Sequence, residues 1–358
     1  MAVFLKRMAL FLAIFLVLFT GTGVLVVRMA AVSGELTPLD EMIERQLEDN
    51  VLVGSALAEI IPWYKFRMAV LTGPDILVVG TSRALYIKQE HFLPETKFYN
   101  AATAAQNFPA YRNFIESLGR VNTRPRHIIL NLDQWQFNRN YFDQPMAKTM
   151  RQDHDYNNGY VYGRENIIRG FYRLLLSGEY RPALSVPYPG NMGLAAAVYG
   201  DGFRKDGFYV WTRKIISEAY RAGAAYTDFI PHVESGRDMF AFGDGIEIYG
   251  ESVQEVEKIL ALCREKGIMV TAFFPPFAPS FYRLLAESGR HEYMTGIYPV
   301  LLPLFEKYGF ELYDFTGSSV IDDTMTYDGY HPDDRGSHRI LLFMKAHGSV
   351  LADCIAEE

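Results

Sequence analysis

The stretch Asp75-Ile76-Leu77-Val78-Val79-Gly80-Thr81-Ser82-Arg83 decides the fold class. Its apolar run is short, rich in β-branched residues and free of polar alternation. That is the pattern of a strand covered on both faces. A glycine ends the run and a serine follows at a turn. A helix is expected from Arg83. Four more strands follow at 97–100, 127–132, 268–274 and 310–315, the fourth stopped by Pro275-Pro276. Helical patterns fill the gaps at 111–118, 251–266, 292–308 and 334–347, and Gly267 sits where a helix C-terminus favours glycine.

Strands that alternate with helices imply a parallel sheet with helices on both faces. The expected architecture is a flavodoxin-like three-layer α/β/α body with a central parallel sheet. Such sheets take ligands at the carboxyl ends of their strands. Residues just past those ends, Ser82 among them, are therefore the candidates for chemistry. One segment breaks the alternation. Residues 139–245 are rich in Tyr, Gly, Arg and Asp, and read as an insertion that forms a cap over that edge. Its Tyr141, Tyr156, Tyr160, Tyr162, Tyr172 and Tyr188 offer flat, amphipathic surfaces for sugar faces, or else the core of the insertion itself.

Upstream, residues 8–27 carry no charge. As a helix they span about 30 Å, the thickness of a bilayer core. Lys6 and Arg7 precede the run, which places the N-terminus in the cytoplasm and the bulk of the chain outside. The other reading is a cleaved signal peptide, with Ala31-Val32-Ser33 as the cleavage site. The expected organisation is a cytoplasmic tip and transmembrane anchor at 1–30, a helical stalk at 31–74 and the α/β body at 75–358. In the stalk, Thr37 reads as an N-cap, Pro38 as the first helical residue, and a second helix covers 56–71.

Composition narrows the classes. Among 358 residues, 49% are hydrophobic and 22% charged, which suits a folded protein. The net charge is -7 and no basic block exists, so nucleic acid is not an expected partner. The two cysteines, Cys263 and Cys354, form no CxxC pair or zinc pattern, and neither a metal nor a cofactor is expected. Asp314, Asp322 and Asp323 read as solvated loop acids, and His338 as structural.

Asp328 and His331 lie in Tyr327-Asp328-Gly329-Tyr330-His331-Pro332, between the last strand and the last helix. Of the eight histidines, His331 alone has an aspartate three residues before it. A serine hydroxyl needs a base at neutral pH, and a histidine oriented by a carboxylate supplies one. The plainer readings are an N-cap for Ser82 and a helix-capping turn for the pair. The order Ser, Asp, His also occurs in α/β-hydrolases, but those need a Gly-x-Ser-x-Gly elbow that Ser82 lacks.

Gly80-Thr81-Ser82 at the first strand and Asp328-x-x-His331 near the C-terminus resemble the first and last signature blocks of SGNH (GDSL-like) hydrolases, in a membrane-anchored, envelope-facing branch. Thr81 stands where that family usually has Asp. The resemblance implies a serine esterase or O-acyltransferase acting on carbohydrate esters of the cell envelope, O-acetyl groups above all. It implies a multi-span membrane acyltransferase as partner. It also implies oxyanion donors near Ala105 and at Asn131 or Asp133, Asp133 being the better match by position. Arg83 is either a substrate clamp or a salt-bridge residue. The alternative is a non-catalytic carbohydrate-binding or scaffold protein for surface-polymer export.

Overall fold

The computed structural model describes residues 2–56, 60–139, 156, 188–211, 233, 245 and 247–357. Most of the expected insertion, with Tyr141, Tyr160, Tyr162 and Tyr172, lies outside the described residues. The chain gathers into two compact units. One comprises Met1–Ile60, Val161–Lys205 and Val210–Arg213, and the other Ile61–Tyr160, Asp206–Tyr209 and Lys214–Glu358.

The first unit begins with helix α1, Ala2–Ser33. Phe11, Ile14, Phe15, Leu16, Val17 and Leu18 all stand exposed on it. Its span Val3–Ser33 holds an 18-residue window with a mean hydropathy of 2.7 and is long and apolar enough to cross a membrane; a signal sequence meets the same test. Leaving such side chains in water forgoes about 1.5–3 kcal/mol each. Helix α2, Leu39–Asp49, buries Met42 and Ile43 and ends on Asn50 in the left-handed conformation at φ 56°. Pro38, not Thr37, holds the N-cap position, and no side chain caps that end.

The second unit opens with α3, Ile61–Thr72, which starts five residues later than the apolar pattern suggested. Five strands follow: β1 Ile76–Val79, β2 Phe98–Asn100, β3 His127–Asn131, β4 Met269–Phe274 and β5 Glu311–Asp314. They form one parallel sheet in the order β2-β1-β3-β4-β5. Every residue of β1, β2 and β3 is buried, as apolar runs without alternation require. Helices α4 Phe108–Arg120, α5 Gly250–Glu265, α6 Pro279–Glu287, α7 Tyr293–Tyr308 and α8 Asp334–Ala346 flank the sheet. Helix α5 packs against α4 and α7, and α4 against α3. In this order the chain switches direction between β1 and β3, which opens a crevice at their carboxyl ends.

Two sequence expectations need correction here. No α-helix follows β1; Ser82–Ala84 form a single 3-10 turn. The carbonyls a helix would use are taken, because the Asn100 amide donates to Ala84 O and Ile87 O, both at 2.7 Å. Helix α6 was not expected; its Pro279 sits in the first turn, where proline is well placed.

Candidate active site

Gly80 brings the ends of β1 and β3 together. A Cβ there would stand 2.5 Å from Asn131 Cβ and 2.8 Å from Asn131 Oδ1. Because Gly80 has none, Asn131 Oδ1 accepts from the Thr81 N–H at 3.0 Å. Thr81 keeps an extended backbone and caps the 3-10 turn, its Oγ1 accepting from Arg83 N. Ser82 is the first residue past that cap and is partly exposed.

The second half of the site is a tight loop before α8. Gly329 has φ +89°, which lets the chain double back. Asp328 Oδ1 accepts from the N–H groups of Tyr330 at 3.2 Å and His331 at 2.9 Å. Asp328 Oδ2 lies 2.7 Å from His331 Nδ1, and His331 Nε2 lies 2.8 Å from Ser82 Oγ. The carboxylate requires a proton on Nδ1, so Nε2 is left to accept from the serine hydroxyl. The side chains of His331 and Asp328 are 14% and 17% exposed, so water is scarce but the site is open. Burial pushes the Asp328 carboxyl up. The charge of His331 and hydrogen bonds from His331 and Tyr330 outweigh it and hold the group below its ordinary value. A different residue, Asp333, caps α8 through Gly336 N at 2.8 Å. The structure thus brings Ser82, Asp328 and His331 into one hydrogen-bonded line, an arrangement able to activate a serine for attack on an ester carbonyl.

The other candidate residues take different places. Arg83 is 2% exposed. Its Nε donates to Tyr330 O at 2.7 Å, and Nη1 to Asp133 at 3.3 Å and Gln134 Oε1 at 2.6 Å. Nη2 donates to Pro275 O at 2.9 Å and Pro276 O at 2.7 Å. A guanidinium has five N–H donors, and all five are spent on the protein. None is left for a substrate carboxylate or phosphate. Burial lowers the Arg83 pKa, while Asp133, Tyr330 and Asp328 oppose the shift.

Asp133 is wholly buried, and its carboxylate meets Arg83 and the Thr81 hydroxyl. Asn131, also wholly buried, aims its amide N–H at Asp133, at 3.4 Å. The Asp133 carboxylate has no donor for an oxyanion at Ser82, and one N–H of the Asn131 amide is committed to Asp133. Ala105 is buried at 3% exposure. Among the described residues, no acceptor pairs its N–H or the N–H of Ser82.

Sequence reasoning missed Gln134, Tyr330 and the two prolines as parts of this site. Gln134 also donates to Pro275 O and the Thr316 hydroxyl, both at 2.9 Å. The available signal was the polar run Asp133-Gln134 at a buried strand end, opposite Pro275-Pro276, whose backbone can only accept.

Asp322 caps Thr324 N at 2.7 Å, Asp323 accepts from Ser280 N at 2.9 Å and Asp314 from Thr316 N at 2.9 Å. Each serves a turn. Tyr156 is buried, stacked on Phe66 at 4.7 Å, and donates to Ala104 O, so it is a core residue and no sugar platform. Tyr188 is 45% exposed. Both cysteines are free, and burial pushes the Cys263 thiol up to about 12. No family model matches the chain, and no curated protein and no solved structure matches it either.

Proposed function

We propose that this protein is an extracytoplasmic serine esterase or O-acyltransferase of the SGNH type, acting on acyl esters of envelope carbohydrate. The observation that carries the reading is the unbroken line from Ser82 Oγ through His331 to Asp328, at 2.8 and 2.7 Å. In this reading Ser82 Oγ attacks the acyl carbon and passes its proton to His331 Nε2. Asp328 holds the imidazolium in place. The Ser82 and Ala105 N–H groups take the oxyanion, which the Asp133 carboxylate cannot bind. Collapse breaks the bond to the sugar oxygen, which leaves as a hydroxyl with the proton that His331 took from Ser82. Water or a second sugar hydroxyl then removes the acyl group from Ser82.

The resemblance of Gly80-Thr81-Ser82 and Asp328-x-x-His331 to SGNH blocks supplies the substrate class, the O-acetyl group and the multi-span acyltransferase partner. The sheet and its helices then make a flavodoxin-like three-layer body. Helix α1 anchors it in the cell membrane, with the N-terminus in the cytoplasm, since Lys6 and Arg7 precede the apolar span.

A second reading, a non-catalytic carbohydrate-binding scaffold, is favoured by one observation: Asn131 and Asp133 are both turned inward. Hydrolysis of p-nitrophenyl acetate separates the two. The enzyme reading expects cleavage by the full chain in detergent and its loss in Ser82→Ala, with thermal unfolding unchanged because Ser82 sits at a turn. Equal rates in the two proteins, or none in either, would favour the scaffold.

A further inference from the structure

Arg83 is a fully buried side chain that bonds to the loops after β3 and β4 and to the histidine loop. Its Nε holds the carbonyl of Tyr330, the residue bonded to His331. Its Nη1 holds Asp133 and Gln134 after β3, and its Nη2 holds the carbonyls of Pro275 and Pro276 after β4. Its own backbone follows Ser82, and its guanidinium lies 4.4 Å from the Phe277 ring. Asp133 completes the set, taking the guanidinium on one oxygen and the Thr81 hydroxyl on the other.

We propose that Arg83, with Asp133 as its counter-charge, is the positioning residue that sets the distance between Ser82 and His331. Ser82 and His331 are 249 positions apart in sequence, and they meet at 2.8 Å. The Tyr330 carbonyl is fixed to the residue next to Ser82, so the histidine loop cannot drift without breaking a buried charge-assisted bond. Breaking such bonds is costly, because the carbonyls left behind have no water to turn to. The planar fork matters as much as the charge. Five donors in one plane reach acceptors on three separate segments, which a lysine ammonium with three donors on one atom cannot do. Thr81, which stands where the SGNH family usually has Asp, and Asp133 then form one device. Asp133 is needed to neutralise Arg83, and Thr81 donates to Asp133 a hydrogen bond that an aspartate at that position could not.

The inference rests on the reading of Ser82 as a nucleophile, and two readouts on the full chain in detergent keep them distinguishable. One is the rate constant for fluorophosphonate modification of Ser82, taken separately from the fraction of protein modified. The other is the low-field proton resonance of the Asp328–His331 hydrogen bond. Arg83→Lys is expected to slow modification about 10- to 100-fold, the cost of a misplacement of about 1 Å, and to weaken the resonance while unfolding stays cooperative. A purely structural role would lower the fraction modified and leave the rate constant alone. Modification within two-fold of the wild-type rate, with the resonance intact, overturns the proposal. If Arg83→Lys does not fold, Asp133→Asn decides by the same two criteria. If the wild type is not modified at all, the nucleophile reading falls. The resonance then decides alone: its loss in the variant supports positioning, and its persistence overturns it.

Discussion

Among the described residues of the second unit are two Asp–His pairs, and they do different things with the same chemistry. Asp328 and His331 stand before α8, and the free ring nitrogen of His331 meets Ser82. Asp334, in the first turn of α8, bonds His91 Nε2 at 2.8 Å and Lys88 Nζ at 2.6 Å. The other nitrogen of His91 faces the Lys88 N–H at 3.4 Å, and its ring stacks on His338 at 4.7 Å. Both nitrogens of His91 are thus occupied, and none is left to act as a base. A carboxylate beside an imidazole is not enough to mark a catalytic pair. What separates the two is whether the second nitrogen looks at a hydroxyl or at the protein itself.

The largest expected effect breaks this comparison directly. Ser82→Ala and His331→Ala should each lower esterase turnover by at least about 10³-fold, as loss of a triad member does elsewhere. His91→Gln should leave turnover within two-fold. A drop with His91→Gln equal to that with His331→Ala would erase the distinction.

Next in size is the carboxylate. Asp328→Asn should cost about 10²- to 10⁴-fold, because the amide lets the imidazole take the wrong tautomer. Asp334→Asn should leave turnover alone and shift thermal unfolding by a few degrees, since that pair is part exposed and worth about 1 kcal/mol. Denaturation curves recorded beside the kinetics would show which cost falls where.

A third histidine sharpens the contrast. His127 is buried in β3 and bonds the Thr271 hydroxyl at 2.9 Å instead of a carboxylate. Burial pulls its pKa down to about 4, and the charge of Glu311 opposes this only in part. A lowered histidine pKa means that the unfolded chain binds the proton first. The stabilisation is therefore complete above the ordinary value near 6.5 and lost as pH falls toward 4. The loss amounts to about 3 kcal/mol. Urea midpoints at pH 7 and pH 4 should show it, and His127→Gln should flatten that part of the profile.

The smallest effect is at Asp334. Burial pushes this carboxyl up, but hydrogen bonds and charge from His91 and Lys88 bring it to about 2. Its depressed pKa contributes stability above the ordinary value near 4, lost as pH falls through 2. Asp334→Asn should remove that last step of acid unfolding and leave the His127 step in place.

The sheet and the reactive pairings were legible because their signals are local. A strand shows in four apolar residues such as Ile76–Val79, and Asp328 and His331 are three residues apart. The Arg83 network was not legible, because its acceptors come from 133–134, 275–276 and 330, and three of the five are backbone carbonyls with no residue signature. The same cause defeated the helix expected after Ser82. Its carbonyls were claimed by Asn100, a residue at the end of the neighbouring strand. Asn131 and Asp133 were read by their position after β3, whereas their bonds to Thr81 and Arg83 turn them inward.

The most direct test of the central claim, that His331 activates Ser82, is peptide mapping after fluorophosphonate treatment of the full-length protein at neutral pH. The account predicts one adduct, on the peptide that carries Ser82, present in the wild type and in His91→Gln and absent in His331→Ala. An unmodified wild type, or an adduct that forms equally well without His331, would contradict it.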